Sequence, residues 1–325
     1  MKQFLIIQTA FLGDVILATP ILSELKRIYP DAAIDVVLRK GNEQLLENNP
    51  HIRDVIVWNK KSSKYKSLIQ IIKRIRRKRY DEVINLQRFA SAGLMCMFSK
   101  ATIKVGFRKN SFRFIYNKLI EHSLESGKHE IERNLMTIQD HGVKFFSPPQ
   151  LFPSAADYSQ VSDYKKSTYF CIAPASVWLT KQLPEEKWIE LIKILQSKGE
   201  IYLLGSKADR DLCNRIVNKT SAKISILAGK LSILQSAALM KDARMNYVND
   251  SGPQHIASAV NAPVRTFYCS TVPSFGFGPV SENNGIIQIH EKLSCRPCGI
   301  HGHNSCPQQH FKCGKDIYLD EKLLF

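Results

Sequence analysis

The sequence predicts an α/β protein of two Rossmann-like domains, and three observations lead to this fold class. Short apolar runs alternate with helical patterns along the whole chain, as in doubly wound parallel sheets. The length of 325 residues suggests two domains instead of one core. The stretch from Ser147 to Ser167 has neither helical nor strand periodicity and predicts a linker. We therefore expect domains at residues 1–155 and 156–325, with two parallel sheets facing a central cleft.

Apolar runs bounded by turn residues predict five strands in each half of the chain. In the first half they cover residues 4–9, 34–38, 55–58, 83–86 and 104–107, and in the second half residues 170–174, 201–205, 224–227, 245–248 and 264–268. Helical spacing predicts a helix from Ile16 to Tyr29, a short helix over 42–48, and helices over 185–198, 209–217 and 232–241.

The charge of the chain is high and uneven. The formal net charge is +17, and residues 1–150 carry 26 Lys/Arg against 14 Asp/Glu. A basic N-terminal half favours an anionic partner, which could be a membrane surface, a phosphorylated substrate or nucleic acid. No run of about 18 apolar residues predicts a membrane span, and the apolar start at Phe4 to Leu12 is too short for a signal peptide. We expect a cytoplasmic protein.

The segment from Lys60 to Arg79 contains ten Lys/Arg and no acidic residue. Leu68, Ile69, Ile72 and Ile75 recur within it at helical spacing, which predicts a basic amphipathic helix. Its polar face could simply be solvated, or it could dock on the anionic surface of the inner membrane. No nucleic-acid partner is expected, because the segment has no interleaved aromatic residues and no recognised nucleic-acid motif.

A strand, a glycine turn and a helix start follow one another from Val248 to Ala259. Asp250 and Ser251 are good helix-capping residues, and Pro253 suits the first turn of a helix. Amides and the positive end of a helix dipole at the carboxyl edge of a strand suit a phosphate. His255 lies one turn further and could face the same anion. An ordinary capped helix would explain the same pattern.

Asp14 follows the first strand in an apolar setting, at the edge where parallel sheets hold their ligands. The carboxylate is either a helix cap or a catalytic base for a hydroxyl group. In the second half, the loop from Ala173 to Lys181 offers the hydroxyls of Ser176 and Thr180 and the charge of Lys181. These groups suit a diphosphate leaving group, although Lys181 could be an ordinary surface lysine.

Three segments, taken in order, resemble a known family. They are Gly13-Asp14-Val15 with Thr19-Pro20, Ser176 to Lys181 before Pro184 and Trp188, and Asn249 to Ala257. Together they resemble glycosyltransferase family 9, the ADP-heptose:lipopolysaccharide heptosyltransferases, over nearly the whole chain. The chain departs from the family pattern at Leu183, where Trp is frequent, and at Cys269-Ser270-Thr271, where Gly-Pro-Thr is common.

The resemblance implies a GT-B fold, with a lipid-linked acceptor on the N-terminal domain and a nucleotide sugar on the C-terminal one. It implies inverting, metal-independent transfer of heptose from ADP-heptose to a lipopolysaccharide inner-core or related acceptor. Asp14 would be the general base, and Ser176 and Lys181 would hold the diphosphate. By the same resemblance, the remaining donor-binding residues would be Asp250, Ser251, Gly252 and His255. The alternatives are another nucleotide sugar, or a non-catalytic basic protein that binds membranes or nucleic acid.

Four cysteines near the end of the chain, Cys295, Cys298, Cys306 and Cys313, have the spacing C-x2-C-x7-C-x6-C. Such spacing can hold a structural zinc ion, because a C-x2-C pair offers two thiolates to one tetrahedral metal. Reduced thiols or a local disulfide are the alternatives. We expect no metal in the catalytic site. The other four cysteines lie in apolar segments and predict reduced core residues.

Overall fold

The computed structural model describes residues 1–60 and 64–325, with the backbone alone at Lys64 and Leu323. The chain forms two compact units, Met1–Phe152 and Pro153–Phe325. The sequence placed the division after residue 155, three residues later.

The first unit is a six-stranded sheet in the order β3-β2-β1-β4-β5-β6, and every neighbouring pair is parallel. Its strands are β1 (Gln3–Ile7), β2 (Ala33–Arg39), β3 (Asp54–Trp58), β4 (Glu82–Asn85), β5 (Ile103–Phe107) and β6 (Lys118–Ile120). Its helices are α1 (Leu12–Ile28), α2 (Lys64–Arg76), α3 (Ala90–Phe98) and α4 (Glu130–Leu135). This is the strand order of a Rossmann sheet.

Side chains alternate between the two faces of this sheet and are buried on both. Leu5, Ile7 and Trp58 pack on one face with Ile75 of α2 and Met95 of α3. This burial on both faces explains the near-continuous apolar runs of β1 and β2. The same runs predict these strands from the sequence.

The second unit repeats the same topology in the order β12-β11-β10-β7-β8-β9, again all parallel. Its strands are β7 (Tyr169–Ala173), β8 (Glu200–Leu203), β9 (Ile224–Ile226), β10 (Met245–Asn249), β11 (Val264–Tyr268) and β12 (Asn284–Gln288). Its helices are α5 (Ala155–Gln160), α6 (Glu185–Leu195), α7 (Arg210–Asn218), α8 (Ile233–Lys241), α9 (Gly252–Ala259), α10 (Lys312–Lys315) and α11 (Glu321–Leu324). The predicted fold class, α/β of GT-B type with two Rossmann-like units, is confirmed.

Several local predictions were wrong. The predicted linker contains α5, which Ser154 caps by accepting from the N–H of Asp157 at 3.2 Å. The predicted short helix over 42–48 is a 3-10 turn at Glu43–Leu46. The edge strands β6 and β12 were missed, because β6 has only three residues and the outer position of β12 leaves it partly exposed.

The basic helix of the Lys60 to Arg79 segment forms as α2 (Lys64–Arg76), but its buried stripe differs from the prediction. Leu68, Ile71 and Ile75 are buried, whereas Ile69 is 54% exposed. Lys61 and the side chain of Lys64 belong to the same segment and lie outside the described residues.

In the described ranges, no helix is both long enough and apolar enough to cross a membrane.

Candidate active site

Asp14 lies in the first turn of α1, directly after the carboxyl end of β1. The helix begins at Leu12, four residues before the start at Ile16 that the sequence predicts. The Oδ2 atom of Asp14 accepts a hydrogen bond from the N–H of Phe11, the residue before the helix, at 3.1 Å. The helix-capping interpretation of Asp14 is therefore correct.

The electrostatic surroundings raise the pKa of Asp14 to about 6. Desolvation by the surrounding protein is the largest cause, and the negative charge of Glu130 acts in the same direction. The N–H of Phe11 and the positive charge of Arg39 partly oppose them. A carboxylate with a pKa near neutrality is a stronger base than an ordinary aspartate and is still largely ionised at pH 7.

Glu130 was not recognised in the sequence. It is buried at the start of α4, where Arg133 donates from Nε at 2.7 Å and His122 contacts the carboxylate through Nε2 at 3.0 Å. Burial alone would raise the pKa of Glu130, but these partners hold it below the usual value. Glu130 is thus a fixed negative charge beside Asp14. The arginine three residues after a glutamate at a helix start is the only sequence signal for it, and that pattern is common.

A buried pair of amides lies at the switch point between β1 and β4. Nε2 of Gln87 donates to Oε1 of Gln8, and Nε2 of Gln8 contacts the carbonyl oxygen of Asp14 at 3.4 Å. Asn110 donates to the carbonyl of Gln87 at 2.7 Å. These contacts fix the turn that carries Asp14. Nothing in the sequence distinguishes these amides from ordinary polar loop residues.

In the second unit, Lys181 and Asp250 form an ion pair with Nζ and Oδ2 separated by 2.6 Å. The same carboxylate oxygen accepts a hydrogen bond from Oγ1 of Thr271, also at 2.6 Å. Lys181 ends the 3-10 turn Leu179–Lys181 after β7, and Asp250 follows the last residue of β10. Lys181 is therefore not an isolated surface lysine.

The start of α9 lies beside this ion pair in sequence. Ser251 precedes the helix, Gly252 begins it, and Pro253 occupies the first turn as predicted. Ser251 occupies the N-cap position, as the sequence predicts, but its hydroxyl contacts the carbonyl of Asn249 at 3.4 Å and makes no hydrogen bond to the helix amides. His255 is buried one turn into the helix. The structure thus places Lys181, Asp250 and the α9 N-terminus at one edge of the sheet.

Ser176 and Thr180 differ in their surroundings. Ser176 is half-buried in the loop after β7, and its N–H donates to Oε1 of Gln182 at 3.2 Å. Thr180 is buried, and its hydroxyl accepts from the N–H of His303 at 2.7 Å and from Oγ of Ser270 at 3.0 Å. Its geometry suits a support for the loop better than a direct contact with a ligand.

Asn249, the last residue of β10, anchors the loop that carries Lys181. Its Nδ2 donates to the carbonyl of Pro174 at 2.9 Å, and its Oδ1 accepts from the N–H of Leu183 at 2.8 Å. The side chain is fully buried, and it bridges the switch point between β7 and β10. The sequence showed Asn249 within a motif but not this role.

The cysteine-rich tail lies against the loops that contain Thr180 and Ser270. Cys295, Cys298, Cys306 and Cys313 are free thiols. Within residues 1–60 and 64–325, no group of three or more His, Cys, Asp or Glu side chains is arranged to hold a metal ion. The structural zinc ion therefore stays a prediction.

Comparisons with known proteins bear on the family and the fold of the chain. A model of the family described as "Glycosyltransferase family 9 (heptosyltransferase)" matches residues 68–304. Lipopolysaccharide heptosyltransferase 3 of Escherichia coli strain K12 is 31% identical over 296 residues, which are 85% of this chain and 84% of that protein.

Two solved structures share the fold. The glycosyl transferase family 9 protein from Veillonella parvula has a TM-score of 0.81 at 23% identity, with 88% of this chain and 85% of that one covered. The E. coli ADP-heptose lps heptosyltransferase II has a TM-score of 0.75 at 22% identity, with 96% and 97% covered. The family match extends over most of the chain, and the resemblance noted in the sequence is confirmed. This chain belongs to glycosyltransferase family 9 and is a glycosyltransferase.

Proposed function

We propose that this chain transfers heptose from ADP-heptose to a hydroxyl group of a lipopolysaccharide inner-core or related lipid-linked acceptor. The observation that carries the proposal is the Lys181–Asp250 ion pair beside the N-terminus of α9, in a chain of this family. The names of the E. coli relatives supply the sugar, the nucleotide and the acceptor class.

The donor diphosphate would lie at the N-terminus of α9, where the helix dipole favours negative charge. Lys181 would then exchange its contact with Asp250 for one with a phosphate oxygen. Asp250, still bonded to Thr271, would be free to accept a hydroxyl group of the sugar. Ser176, Gly252 and His255 would complete the donor site. An ammonium group and a helix N-terminus together supply positive charge to the leaving ADP without a metal ion.

Asp14 would act as the general base. Its carboxylate takes the proton of the acceptor hydroxyl while the acceptor oxygen forms a bond to C1 of the heptose. The bond between C1 and the phosphate oxygen breaks, and its electron pair leaves with ADP. Attack from the face opposite the leaving group inverts the configuration at C1. A pKa of about 6 gives Asp14 the basicity that this step requires.

The acceptor would bind at the carboxyl edge of the first unit, close to Asp14. Phe11 is exposed there, and the guanidinium of Arg39 lies 4.7 Å from the centre of its ring. Arg88 lies over the exposed ring of Phe89 at 5.2 Å, just after β4. Guanidinium groups beside apolar rings suit a phosphorylated or carboxylated sugar on a lipid.

The donor assignment is tested by calorimetric titration with ADP, UDP and GDP, using the wild type and Lys181→Met. We expect selective ADP binding that weakens about tenfold or more in the variant, the loss for one charge-assisted hydrogen bond. Selective binding of UDP or GDP would be compatible with the proposed glycosyl transfer but would mean that the donor carries a different nucleotide. If none of the three nucleotides binds, the donor site is wrong and a non-catalytic role gains support.

We also propose that α2 holds the protein at the cytoplasmic face of the inner membrane. Arg74 and Lys78 are already engaged with Asp54. The remaining described basic residues of the segment with exposed side chains are Lys66, Lys73, Arg76, Arg77 and Arg79. Exposed Tyr65 and Ile69 lie on the same helix and could enter the lipid interface.

Vesicle sedimentation tests the membrane proposal. Neutralising Lys66, Lys73, Arg76 and Arg77 with Gln should abolish binding to anionic vesicles at low salt. As a matched control, four exposed lysines of the second unit are replaced with Gln, namely Lys193, Lys207, Lys230 and Lys292. Equal losses in both variants would show only an effect of net charge, and no loss in either would refute docking through α2.

A further inference from the structure

We propose that Gly302, in the cysteine-rich tail, is a positioning residue of the donor site that fixes the side chain of Lys181. This inference rests on the proposed donor site and adds to it a residue that lies more than one hundred positions from Lys181 in the sequence. The cysteine-rich tail would then contribute to donor binding by positioning Lys181.

The closest approach is at Gly302 itself. A Cβ atom at this position would lie 2.9 Å from Oγ1 of Thr180, 3.0 Å from Cγ of Lys181 and 3.2 Å from Oγ of Ser270. The tail backbone therefore lies directly against the aliphatic stem of Lys181. Gly302 also has a φ of +77°, a conformation that side-chain-bearing residues rarely adopt. Both the space and the backbone conformation select glycine here.

Hydrogen bonds hold the tail in this place. Thr180 and His303 exchange two of them: the N–H of Thr180 donates to the carbonyl of His303 at 3.0 Å, and the N–H of His303 donates to the side-chain Oγ1 of Thr180 at 2.7 Å. The N–H of Cys298 donates to the carbonyl of Ser270 at 2.9 Å, and the N–H of Ser270 to the carbonyl of Thr180 at 3.1 Å. The tail and the Lys181 loop are thus joined on both sides of Gly302.

Arg296 joins the tail to the other edge of the site. Its Nε donates to the carbonyl of Cys269 at 2.7 Å, and its Nη2 to the carbonyl of Thr271 at 2.8 Å. Thr271 is the residue whose hydroxyl contacts Asp250. The tail therefore supports both partners of the Lys181–Asp250 ion pair, and a displacement at Gly302 is transmitted first to Lys181, which it touches.

The test compares Gly302→Ala with Gly299→Ala. Gly299 lies in the same tail and also has a left-handed backbone, with φ +88°, but a Cβ there meets nothing within 4 Å. The two variants share the conformational strain, and only Gly302→Ala adds close contacts with Thr180, Lys181 and Ser270. We expect both variants to lose melting temperature, Gly302→Ala more, but ADP affinity to fall about tenfold in Gly302→Ala alone, as for one misplaced charge-assisted hydrogen bond. The KM for the donor should rise with that loss.

A double-mutant cycle shows whether the effect passes through Lys181. In a Lys181→Met background, Gly302→Ala should cause little further loss of ADP affinity, because the charge it displaces is absent. Additive losses would overturn the proposal, as would equal losses of ADP affinity in Gly302→Ala and Gly299→Ala. Wild-type affinity in Gly302→Ala would also overturn it and leave the donor site standing, whereas failure of the wild type to bind ADP would remove the donor site itself.

Thr180→Val and Thr180→Ser provide a second route if Gly302→Ala does not fold. Valine keeps the shape of threonine and removes the acceptor for the N–H of His303, whereas serine keeps that acceptor. We expect weaker ADP binding in the valine variant and near wild-type binding in the serine variant. Unchanged affinity in Thr180→Val would refute a positioning role for the tail.

Discussion

The ammonium of Lys181 and the carboxylate of Asp250 lie 2.6 Å apart, with side-chain exposures of 16% and 7%. Two residues that are about seventy positions apart in the sequence thus neutralise each other where a diphosphate is proposed to bind. A largely buried ion pair adds little net stability, but each partner is costly to leave alone. The pair therefore holds the lysine side chain in place until an anionic ligand competes with Asp250 for it.

We expect the hydroxyl of Thr271 to hold Asp250 in position for this ion pair. Replacement of Thr271 with Val removes the hydroxyl that donates to Asp250 at 2.6 Å, so we expect ADP-sugar affinity to fall by roughly fivefold, about the value of one net hydrogen bond. Thr266→Val is the matched control, because Oγ1 of Thr266 is buried in β11 without a hydrogen-bond partner among the described residues. Calorimetry on both variants checks the prediction, and equal affinities for Thr271→Val and wild type would contradict it.

Asp14→Asn should separate catalysis from folding. The asparagine oxygen can still accept from the N–H of Phe11, so the helix cap survives, but the base is lost. We expect transfer to fall by about 10²- to 10⁴-fold while ADP affinity is unchanged.

Because the pKa of Asp14 is raised in the folded state, the folded protein loses stability as pH rises from about 4 through 6. Asp14→Asn should lack this pH-dependent loss of stability. If this substitution unfolds the protein at pH 7.5, and does not only inactivate it, Asp14 has a purely structural role.

Glu130→Gln should change the pH dependence of transfer. With a pKa of about 6 for Asp14, about one tenth of the base is ionised at pH 5, and the rate should increase through pH 6 to a plateau. Removal of the negative charge of Glu130 leaves Arg39 to stabilise the ionised form of Asp14, so the acid limb of the kcat/KM profile should move to lower pH. We expect the rate at pH 5, relative to the plateau, to increase about twofold or more.

The control for this shift is Glu82→Gln. Glu82 is also a buried carboxylate of the first unit with a histidine partner, because Nε2 of His141 lies 2.9 Å from its Oε2. It is absent from the interactions that set the pKa of Asp14. The profile of Glu82→Gln should therefore match the wild type. An unmoved acid limb in Glu130→Gln would show that Glu130 only supports α4.

The fold could be predicted from sequence, and so could the positions of the candidate residues Asp14 and Asp250 at strand ends, because both depend on local patterns. The buried strands β1 and β10 are apolar runs, and Asp14 and Asp250 each follow one of them directly. Glu130 could not be found in this way, because its importance comes from the packing of α4 near α1. The same holds for Gly302, whose contact with Lys181 depends on the return of the tail to the β7 edge.

Asn249 provides a last test of how the Lys181 loop is held. Asn249→Ala leaves the buried N–H of Leu183 and the carbonyl of Pro174 without their partner, so we expect a loss of about 1–3 kcal/mol in unfolding free energy and a weaker affinity for ADP. Asn246→Ala is the control at the other end of β10, where Nδ2 of Asn246 donates to the carbonyls of Met240 and Pro263, each at 2.8 Å. That variant should lose comparable stability and keep wild-type ADP affinity, since its contacts lie at the opposite edge of the sheet.

The measurements are urea unfolding and the ADP-dependent rise in melting temperature, which reports binding through mass action. A wild-type rise in Asn249→Ala would mean that Lys181 is positioned without the Asn249 bridge, through the tail alone.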